Sequence, residues 1–305
     1  MSDQIIANPL LAFSHQLQQL VSGAADAIVS VRSHGRAVAS GFIWKPGVVV
    51  TASDAVEADD DIAAVTGAGK PIRAELAGRD PTTDIAVLRL AEDLPAPAPI
   101  TASGEVGVGQ IVLAVGSGRD GAIANLGCVS VTGGPWQSRR GGRIDRLIRL
   151  DLRLHPTAEG GVVIDAEGRL VGMPVFGPRR VPLVIPTATI DLIAPKLLSD
   201  GRIRRGYLGV GVHPVRLDEA AAAAHALPDR RAAMIVSVDP NGPAGKAGIL
   251  LGDIILAFNG ESVPGLRSLF ARLSPESVGK SAELKILRAG QMTNASVTIG
   301  ASPAP

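Results

Sequence analysis

The sequence predicts a mainly β-sheet domain of sandwich or barrel type, followed by a smaller α+β domain. Between residues 27 and 190, about ten short runs rich in Val, Ile and Leu are separated by Gly, Pro, Asp or Ser. No strand–helix–strand alternation occurs there, which argues against a parallel α/β sheet. After Arg205 the pattern starts afresh, with strands, short helices and a final hairpin. The sequence therefore favours two domains, each with its own core.

The first element is an amphipathic helix over residues 1–24. Apolar residues recur at helical spacing in this segment, namely Leu10, Phe13, Leu17, Leu20 and Val21. We expect this helix to cap the following domain, with oligomerisation as the alternative role. The first domain is predicted over residues 25–200, with a last helix that ends at Gly201. The second domain is predicted over residues 205–300.

Composition excludes some partners. The chain has 30 basic and 29 acidic residues, and this balance argues against nucleic acid or a membrane surface as a partner. One local cluster of arginines is interpreted as a solvated loop and strand edge; it contains Arg139, Arg140, Arg143, Arg146 and Arg149. The single cysteine, Cys128, is interpreted as core filling. We expect no cofactor.

The N-terminal residues bear on location. They lack a basic segment, a continuous apolar core and a small-residue cleavage site. If residue 1 is the natural start, this predicts a cytoplasmic protein; a periplasmic location is expected only for a trimmed sequence. No run reaches the roughly 18–20 apolar residues that span a bilayer.

Three runs in the second domain share a pattern with a known family. They are Arg205–Val210 (RGYLGV), Pro240–Ala244 (PNGPA) and Gly252–Ile255 (GDII). These runs resemble the carboxylate-binding loop and the following segments of the PDZ domains in HtrA/Deg proteases. The resemblance extends over the whole domain.

The PDZ resemblance implies a peptide-binding site. Successive N–H groups in the turn of Tyr207, Leu208 and Gly209 would bind a terminal carboxylate. A peptide would add to the strand that begins at Leu208, and an apolar pocket would be lined by Leu208, Val210, Leu269 and Leu273. The alternative is that these residues only fill the core. The implied partners are protein or peptide C-termini and unfolded proteins.

Three runs in the first domain resemble the HtrA protease domain, which implies a trypsin-like double β-barrel. Gly78–Leu88 matches the strand that carries the catalytic aspartate, and Asp84 holds that place. Val50–Val56 matches the segment of the general base, but Asp54 stands where the family has histidine. Asp151–Gly161 matches the segment of the nucleophile, but Glu159 stands where the family has serine.

These departures affect the chemistry. A serine protease needs a hydroxyl nucleophile and an imidazole that takes and returns its proton. Asp54 is a feeble base near pH 7, and Glu159 has no hydroxyl. Thr157 and Ala158 also alter the loop that would stabilise an oxyanion. The candidates for a relocated site are Ser53 and His155, but their offsets from the vacated positions argue against them.

A metal site is an alternative use of the same residues. If the fold is kept, Asp54, Asp84 and Glu159 should converge, and their repulsion would favour a cation. Otherwise one or two of them should turn to solvent or pair with an arginine such as Arg79 or Arg153.

The leading functional prediction is a proteolytically inactive HtrA/Deg homologue that acts as an adaptor or regulator. A second hypothesis is an active serine endopeptidase of protein quality control with unusual site residues. A third is a structural subunit that mixes with active relatives. The resemblance also suggests a homo-trimer, because family members form trimers through the protease domain.

Overall fold

The computed structural model describes residues 8–56, 60–67, 69–92, 102–119, 121–224 and 230–302. They form two compact units, divided between Ile203 and Arg204. In this part of the chain, no helix is long and apolar enough to cross a membrane. The predicted fold class, a double β-barrel followed by an α+β domain, is confirmed.

The first barrel follows helix α1 (Pro9–Ala25) and is closed by antiparallel pairing. Its strands are β1 (Ile28–Ser33), β2 (Arg36–Lys45), β3 (Val48–Ala52), β4 (Ile62–Thr66), β5 (Ile72–Asp80) and β6 (Ile85–Leu90). They neighbour one another in the order β1-β2-β3-β6-β5-β4. The interior is filled by aliphatic residues such as Val31, Val49 and Leu88.

The second barrel contains β7 (Ile111–Ser117), β8 (Ala122–Gly133), β11 (Leu147–Asp151), β12 (Val162–Asp165), β13 (Leu170–Phe176) and β14 (Pro182–Pro186). It closes in the order β11-β14-β13-β12-β7-β8. A short hairpin of β9 (Trp136–Gln137) and β10 (Arg143–Ile144) lies between β8 and β11 in the chain. Helix α2 (Thr187–Asp200) follows the barrel and ends at Gly201, whose φ of 71° is the left-handed C-cap that the sequence predicts.

One buried apolar cluster joins the two barrels and both helices. Phe42 and Ile85 contribute from the first barrel, and Val115 and Met173 from the second. Helix α1 packs on this cluster through its second half, with Leu17, Leu20 and Val21. Its first half does not follow the predicted capping role, because Leu10 and Phe13 stay 77% and 39% exposed. Residues 1–7 of the predicted helix lie outside the described residues.

The second unit is an antiparallel sheet with short helices. Its elements are β15 (Gly206–Tyr207), β16 (Val210–Arg216), α3 (Glu219–Ala224), β17 (Arg231–Val238), α4 (Pro243–Lys246), β18 (Ile254–Phe258), β19 (Glu261–Ser262), α5 (Leu266–Arg272), β20 (Ser281–Arg288), β21 (Gln291–Thr298) and β22 (Gly300–Ala301). The sheet order is β16-β17-β18-β20-β21, with β19 beside β18, so β16 is an edge strand.

A buried ion pair holds the loop before β18 to the end of β20. The Asp253 carboxylate, 2% exposed, accepts hydrogen bonds from Arg288 Nε and Nη2 at 2.8 and 2.7 Å. It also accepts one from the Leu250 N–H at 2.8 Å. Burial by itself raises the pKa of Asp253, but these hydrogen bonds outweigh it and the pKa is lowered. The carboxylate is therefore ionised and dependent on its guanidinium partner.

We predict that Arg288→Met destabilises the second unit by about 3 kcal/mol, because it leaves Asp253 charged and buried without its partner. Hydrogen exchange measured by mass spectrometry on the full chain should show faster exchange in β18 and β20. Arg267→Met is the matched control, since Arg267 is exposed on α5. Equal effects of the two variants would contradict a structural role for the ion pair.

Candidate functional site

Asp84 lies at the end of a tight turn between β5 and β6. The Asp80 carboxylate organises this turn by accepting hydrogen bonds from the Thr82 N–H and hydroxyl at 3.1 and 2.6 Å and from the Thr83 hydroxyl at 2.8 Å. Asp84 has a left-handed backbone, with φ of 60°, which aspartate tolerates better than most residues. Hydrogen bonds within the turn therefore organise the segment that ends at Asp84.

Asp54 lies directly beside Asp84. Its backbone N–H donates to Asp84 Oδ1 at 2.8 Å. Its own carboxylate pairs with Arg140, whose Nη1 lies 2.5 Å from Asp54 Oδ1 and 3.2 Å from the Pro81 carbonyl. The predicted arginine partners Arg79 and Arg153 are therefore not the ones that bind Asp54. Arg140, from the arginine cluster interpreted as a solvated loop, is 54% exposed and also pairs with Asp54.

The loop that carries Arg140 is docked on the Asp84 turn. The Ser138 hydroxyl donates to the Thr82 carbonyl at 2.5 Å and accepts from the N–H groups of Arg140 and Gly142 at 3.2 and 3.1 Å. Gly142 lies so close that a Cβ there would be 2.2 Å from the Thr82 oxygen. In the sequence, the run Ser138–Gly142 indicates a loop at this point. It does not indicate that the loop contacts the turn before Asp84.

Glu159 enters the same cleft from the second barrel. Its Oε1 accepts the Phe176 N–H at 2.9 Å, and its carbonyl accepts the Ser40 N–H at 2.8 Å. The next residue, Gly160, has φ of 81°, and a Cβ there would be 2.3 Å from the Ser40 oxygen. Glu159 is thus held by the second barrel through Phe176 and by the first barrel through Ser40.

The carboxylates perturb one another. Burial raises the pKa of Asp84 to about 7; the negative charges of Asp54 and Glu159 add to this, while the Asp54 N–H and Arg140 oppose it. Burial and the charge of Asp54 likewise raise the pKa of Glu159, against the Phe176 N–H and Arg180. Asp54 and Asp84 thus line one cavity, and Glu159 lies near enough for its charge to act on Asp84 although it is not among the lining residues.

The cleft contains a cavity of about 390 Å³, and Asp54, Asp84 and Arg140 are among its lining residues. Apolar side chains such as Trp136 and Phe176 form much of the remaining wall. In the described ranges, no group of three His, Cys, Asp or Glu residues could hold a metal ion. Arg140 supplies the positive charge at Asp54, and the metal site at Asp54, Asp84 and Glu159 stays an untested prediction.

In the turn before Glu159, two backbone N–H groups donate hydrogen bonds to acceptors within the turn itself. Residues Pro156–Ala158 form a 3-10 turn in which the Thr157 N–H donates to His155 Nδ1 at 3.3 Å. The Glu159 N–H donates to the Pro156 carbonyl at 3.3 Å. In serine proteases the N–H groups of the nucleophile and of the residue two before it form the oxyanion hole. The N–H groups at these two positions donate inside the turn.

The two residues considered for a relocated site form no reactive pair with Asp84. Ser53 lies next to it, since the Ser53 N–H donates to the Asp84 carbonyl at 3.3 Å. The Ser53 side chain is buried at 4% exposure. His155 contacts the Thr157 hydroxyl at 3.0 Å and lines a different cavity from the one that Asp84 lines. The structure gives neither residue a hydrogen bond to the other.

In the second unit, the turn of Tyr207, Leu208 and Gly209 has free donors. Gly209 has φ of 77°, and its carbonyl accepts the Asp239 N–H at 2.7 Å. The Leu208 carbonyl accepts the Ala244 N–H at 2.8 Å. Within the described residues, the N–H groups of Leu208 and Gly209 donate to no protein acceptor. Val210, half-buried, then opens the edge strand β16.

Of the four apolar residues predicted to line a peptide pocket, three lie in the core and Val210 is half-buried. Leu208, Leu269 and Leu273 are 2%, 2% and 7% exposed and pack in one cluster. On the same helix, α5, the exposed apolar residues are Leu266 and Phe270, each 39% exposed. The helical spacing was read correctly, but it identified the core face of α5 rather than the exposed one.

Comparison with known proteins agrees with both units. Residues 39–173 match a model of the trypsin-like peptidase domain, and residues 206–299 match a model of the PDZ domain. A probable periplasmic serine endoprotease, DegP-like, from Brucella suis is 34% identical over 289 residues, covering 88% of this chain and 54% of the relative. The corresponding protein of Halomonas elongata is 32% identical over 278 residues, covering 88% and 57%. The chain belongs to the HtrA/Deg family.

Solved structures of the family agree. A serine endoprotease from Yersinia pestis is 26% identical with a TM-score of 0.71, covering 94% of this chain and 98% of that one. The HtrA-type protease AlgW with a tripeptide is 26% identical with a TM-score of 0.70, at the same coverage. This HtrA/Deg chain spans a little over half the length of the curated relatives it matches.

The predicted cytoplasmic location is wrong. The curated relatives are named as periplasmic proteins, which points to the periplasm. The prediction depended on the first residues of the sequence, and the point at which a given sequence starts carries no information about location.

We predict that ionised Asp84 destabilises this HtrA/Deg chain. Its pKa is raised from 3.8 to about 7, so the folded protein binds the proton more tightly than the unfolded chain does. The stabilising effect of that proton is complete below about pH 4 and is lost as the pH rises through about 7. Asp84→Asn, which keeps an acceptor for the Asp54 N–H, should raise the free energy of unfolding at pH 8 by up to about 4 kcal/mol.

Denaturant unfolding between pH 4 and 8 measures this effect. Asp151→Asn is the control, because Asp151 is exposed on β11. An unfolding free energy with the same pH dependence in wild type and Asp84→Asn would contradict the raised pKa.

Proposed function

We propose that this chain is a proteolytically inactive HtrA/Deg homologue, which binds protein C-termini or unfolded segments through its PDZ domain as an adaptor or regulator. The observation that carries the proposal is the pair of carboxylates beside Asp84. Asp54 occupies the place of the family's base, and Glu159 occupies the place of its nucleophile. Neither side chain can perform the step that its position requires.

The chemistry of acyl transfer supports inactivity. Attack on a peptide carbonyl needs a hydroxyl or thiol that loses a proton to a nearby base. The Glu159 carboxylate accepts the Phe176 N–H, and the Asp54 carboxylate is paired with Arg140. An imidazole that could relay a proton between nucleophile and leaving group is missing from the cavity lining in the described residues. In a well-studied serine protease, loss of the nucleophile or the base alone costs about 10⁶-fold in turnover.

The oxyanion turn supports the same conclusion. The developing negative charge must be met by N–H groups aimed at it, and removal of one donor costs about 10²–10³-fold. Here the N–H groups of Thr157 and Glu159 donate to His155 and Pro156 within the turn. The turn is fastened to the first barrel, since the Ser40 hydroxyl donates to the Thr157 carbonyl at 2.5 Å.

The PDZ turn supports peptide binding. The Leu208 and Gly209 N–H groups form a nest for a carboxylate, and β16 offers a free edge for strand addition. The HtrA-type protease AlgW has been solved with a decapeptide and with a tripeptide. The exposed residues Leu266 and Phe270 on α5 replace Leu269 and Leu273 as the proposed contacts for an apolar C-terminal side chain.

We predict that the purified chain neither cleaves an unfolded protein nor reacts with a fluorophosphonate probe. The measurement is hydrolysis of casein, with an active family member as positive control. Turnover that disappears in Glu159→Ala would support the alternative of an active protease with unusual residues. Turnover that survives Glu159→Ala would indicate a relocated site. Either result would overturn the proposal.

Reversion is the complementary experiment. Asp54→His with Glu159→Ser restores the two reactive groups but not the oxyanion turn. We expect labelling and turnover only after Thr157→Gly and Ala158→Asn are added, because these changes loosen the closed turn.

We predict that the chain binds peptides with a free, apolar C-terminal residue at micromolar affinity, about −8 kcal/mol at 1 μM. Amidation of the peptide should weaken binding by about tenfold or more, since the charge that the nest stabilises is lost. Gly209→Val should do the same, because a Cβ there meets the Gly242 Cα at 3.2 Å and the left-handed φ is strained.

Gly290→Val is the matched control for backbone strain. Gly290 also has a positive φ, 82°, but lies in the β20–β21 turn with open space around it. Calorimetric titration on the full chain measures both variants. Equal binding of free and amidated peptides would exclude carboxylate capture and favour internal segments as ligands.

A further inference from the structure

The first unit has a second cavity, of about 770 Å³, that the proposed function does not use. Three segments line it: the β1–β2 hairpin, the β7–β8 turn, and the 3-10 turn before Glu159. They contribute Arg32 and Arg36, Arg119, and His155 with Thr157 respectively. Three guanidinium groups, two from the hairpin and one from the β7–β8 turn, thus line one space.

These arginines carry uncompensated charge. In the described part of the chain, no carboxylate lines the cavity, and Arg32, Arg36 and Arg119 have no ion-pair partner. Asp60 and Asp61 contact His34 and are not among the lining residues. Asp120 follows Arg119 in the chain and lies outside the described residues.

Arg32 gives the most specific indication of a ligand. Its Nε atom is buried and has no hydrogen-bond partner. A buried donor without an acceptor costs about 1–3 kcal/mol, and more when it is charged. Such groups in folded proteins are usually satisfied by water or a bound ligand. This nitrogen has almost no accessible surface, so an acceptor in the cavity would remove the cost only after the Arg32 side chain changes rotamer.

The segments that hold the cationic residues are fixed by short connections. The β1–β2 turn has two residues, His34 and Gly35, both with positive φ, as in the tight hairpin turns that match strand twist. The β7–β8 turn is closed by the Gly118 N–H, which donates to the Gly121 carbonyl at 2.8 Å. A site with fixed walls loses little conformational freedom when it binds a ligand.

We propose that this cavity binds a small compound with two or more phosphate groups. Guanidinium groups match phosphate oxygens in charge and in bidentate geometry. The volume lies within the range of small-molecule sites. A compact ligand can bring several charges into the space that Arg32, Arg36 and Arg119 line, whereas an acidic polypeptide brings one charge per residue and also has to fit its backbone there. The site is independent of the proposed function.

Calorimetric titration of the full chain with pyrophosphate, at constant ionic strength, tests the proposal. We expect a Kd below about 1 mM, and a loss of about tenfold in Arg36→Gln and in Arg119→Gln, the amount that one charge-assisted hydrogen bond provides. Arg73→Gln is the matched control, because Arg73 is 81% exposed on β5 and does not line the cavity. Its Kd should equal that of the wild type.

Three results would overturn the proposal. One is the absence of heat or chemical-shift change at about 10 mM pyrophosphate, well above the expected Kd. Another is an equal loss of affinity in Arg73→Gln and the two cavity variants, which would indicate nonspecific charge attraction. The third is tighter binding of a short polyglutamate peptide than of pyrophosphate, which would assign the cavity to acidic polypeptides. Unchanged melting temperatures would show that the variants remain folded.

Discussion

The architecture of the first unit depends on the apolar cluster that joins its two barrels. Side chains such as Phe42, Ile85, Val115 and Met173 meet there, and both long helices add to it. None of these groups takes part in acid–base chemistry. Burial of a cluster of this size contributes to stability through the area removed from water, whatever occupies the rim of the cleft. This explains how a family fold can persist after its reactive side chains change: the cleft is shaped by packing, and its rim residues are carried on the ends of strands.

In the proposed assignment, carboxylates stand at the positions of the family's base and nucleophile, and this changes the electrostatics of the cleft. A neutral imidazole and a hydroxyl can donate hydrogen bonds to the buried aspartate and to each other, whereas two carboxylates repel it. The structure offsets this in two ways. Arg140 binds Asp54, and the Asp54 N–H donates to Asp84. The ion pair is about half exposed on both sides, so it adds little to stability by itself. What remains is a buried carboxyl whose pKa is raised to about 7.

Sequence reasoning predicted the strands, the helix that ends at Gly201 and the convergence of Asp54, Asp84 and Glu159, because each depends on local pattern or on motifs. It did not find Arg140 as a partner, since that pairing joins residues 86 positions apart through a loop whose docking depends on Gly142. It chose the wrong face of α5, because i and i+4 spacing identifies an apolar stripe but not which side the sheet covers. The sequence also could not predict which acceptors the N–H groups of the Thr157 turn bind, because contacts with His155 and Ser40 determine the shape of that turn.

The two units differ in whether their backbone N–H groups are already hydrogen-bonded, and this difference bears directly on function. In the first unit the N–H groups of Thr157 and Glu159 are consumed by His155 and Pro156, so an oxyanion would have to displace existing hydrogen bonds. In the PDZ unit the N–H groups of Leu208 and Gly209 have no such competitors among the described residues. A carboxylate that binds there replaces water without breaking protein hydrogen bonds, so its charge-assisted bonds count as net affinity. His155 and Thr157 also line the arginine cavity. A phosphate ligand in that cavity would therefore lie beside the closed turn.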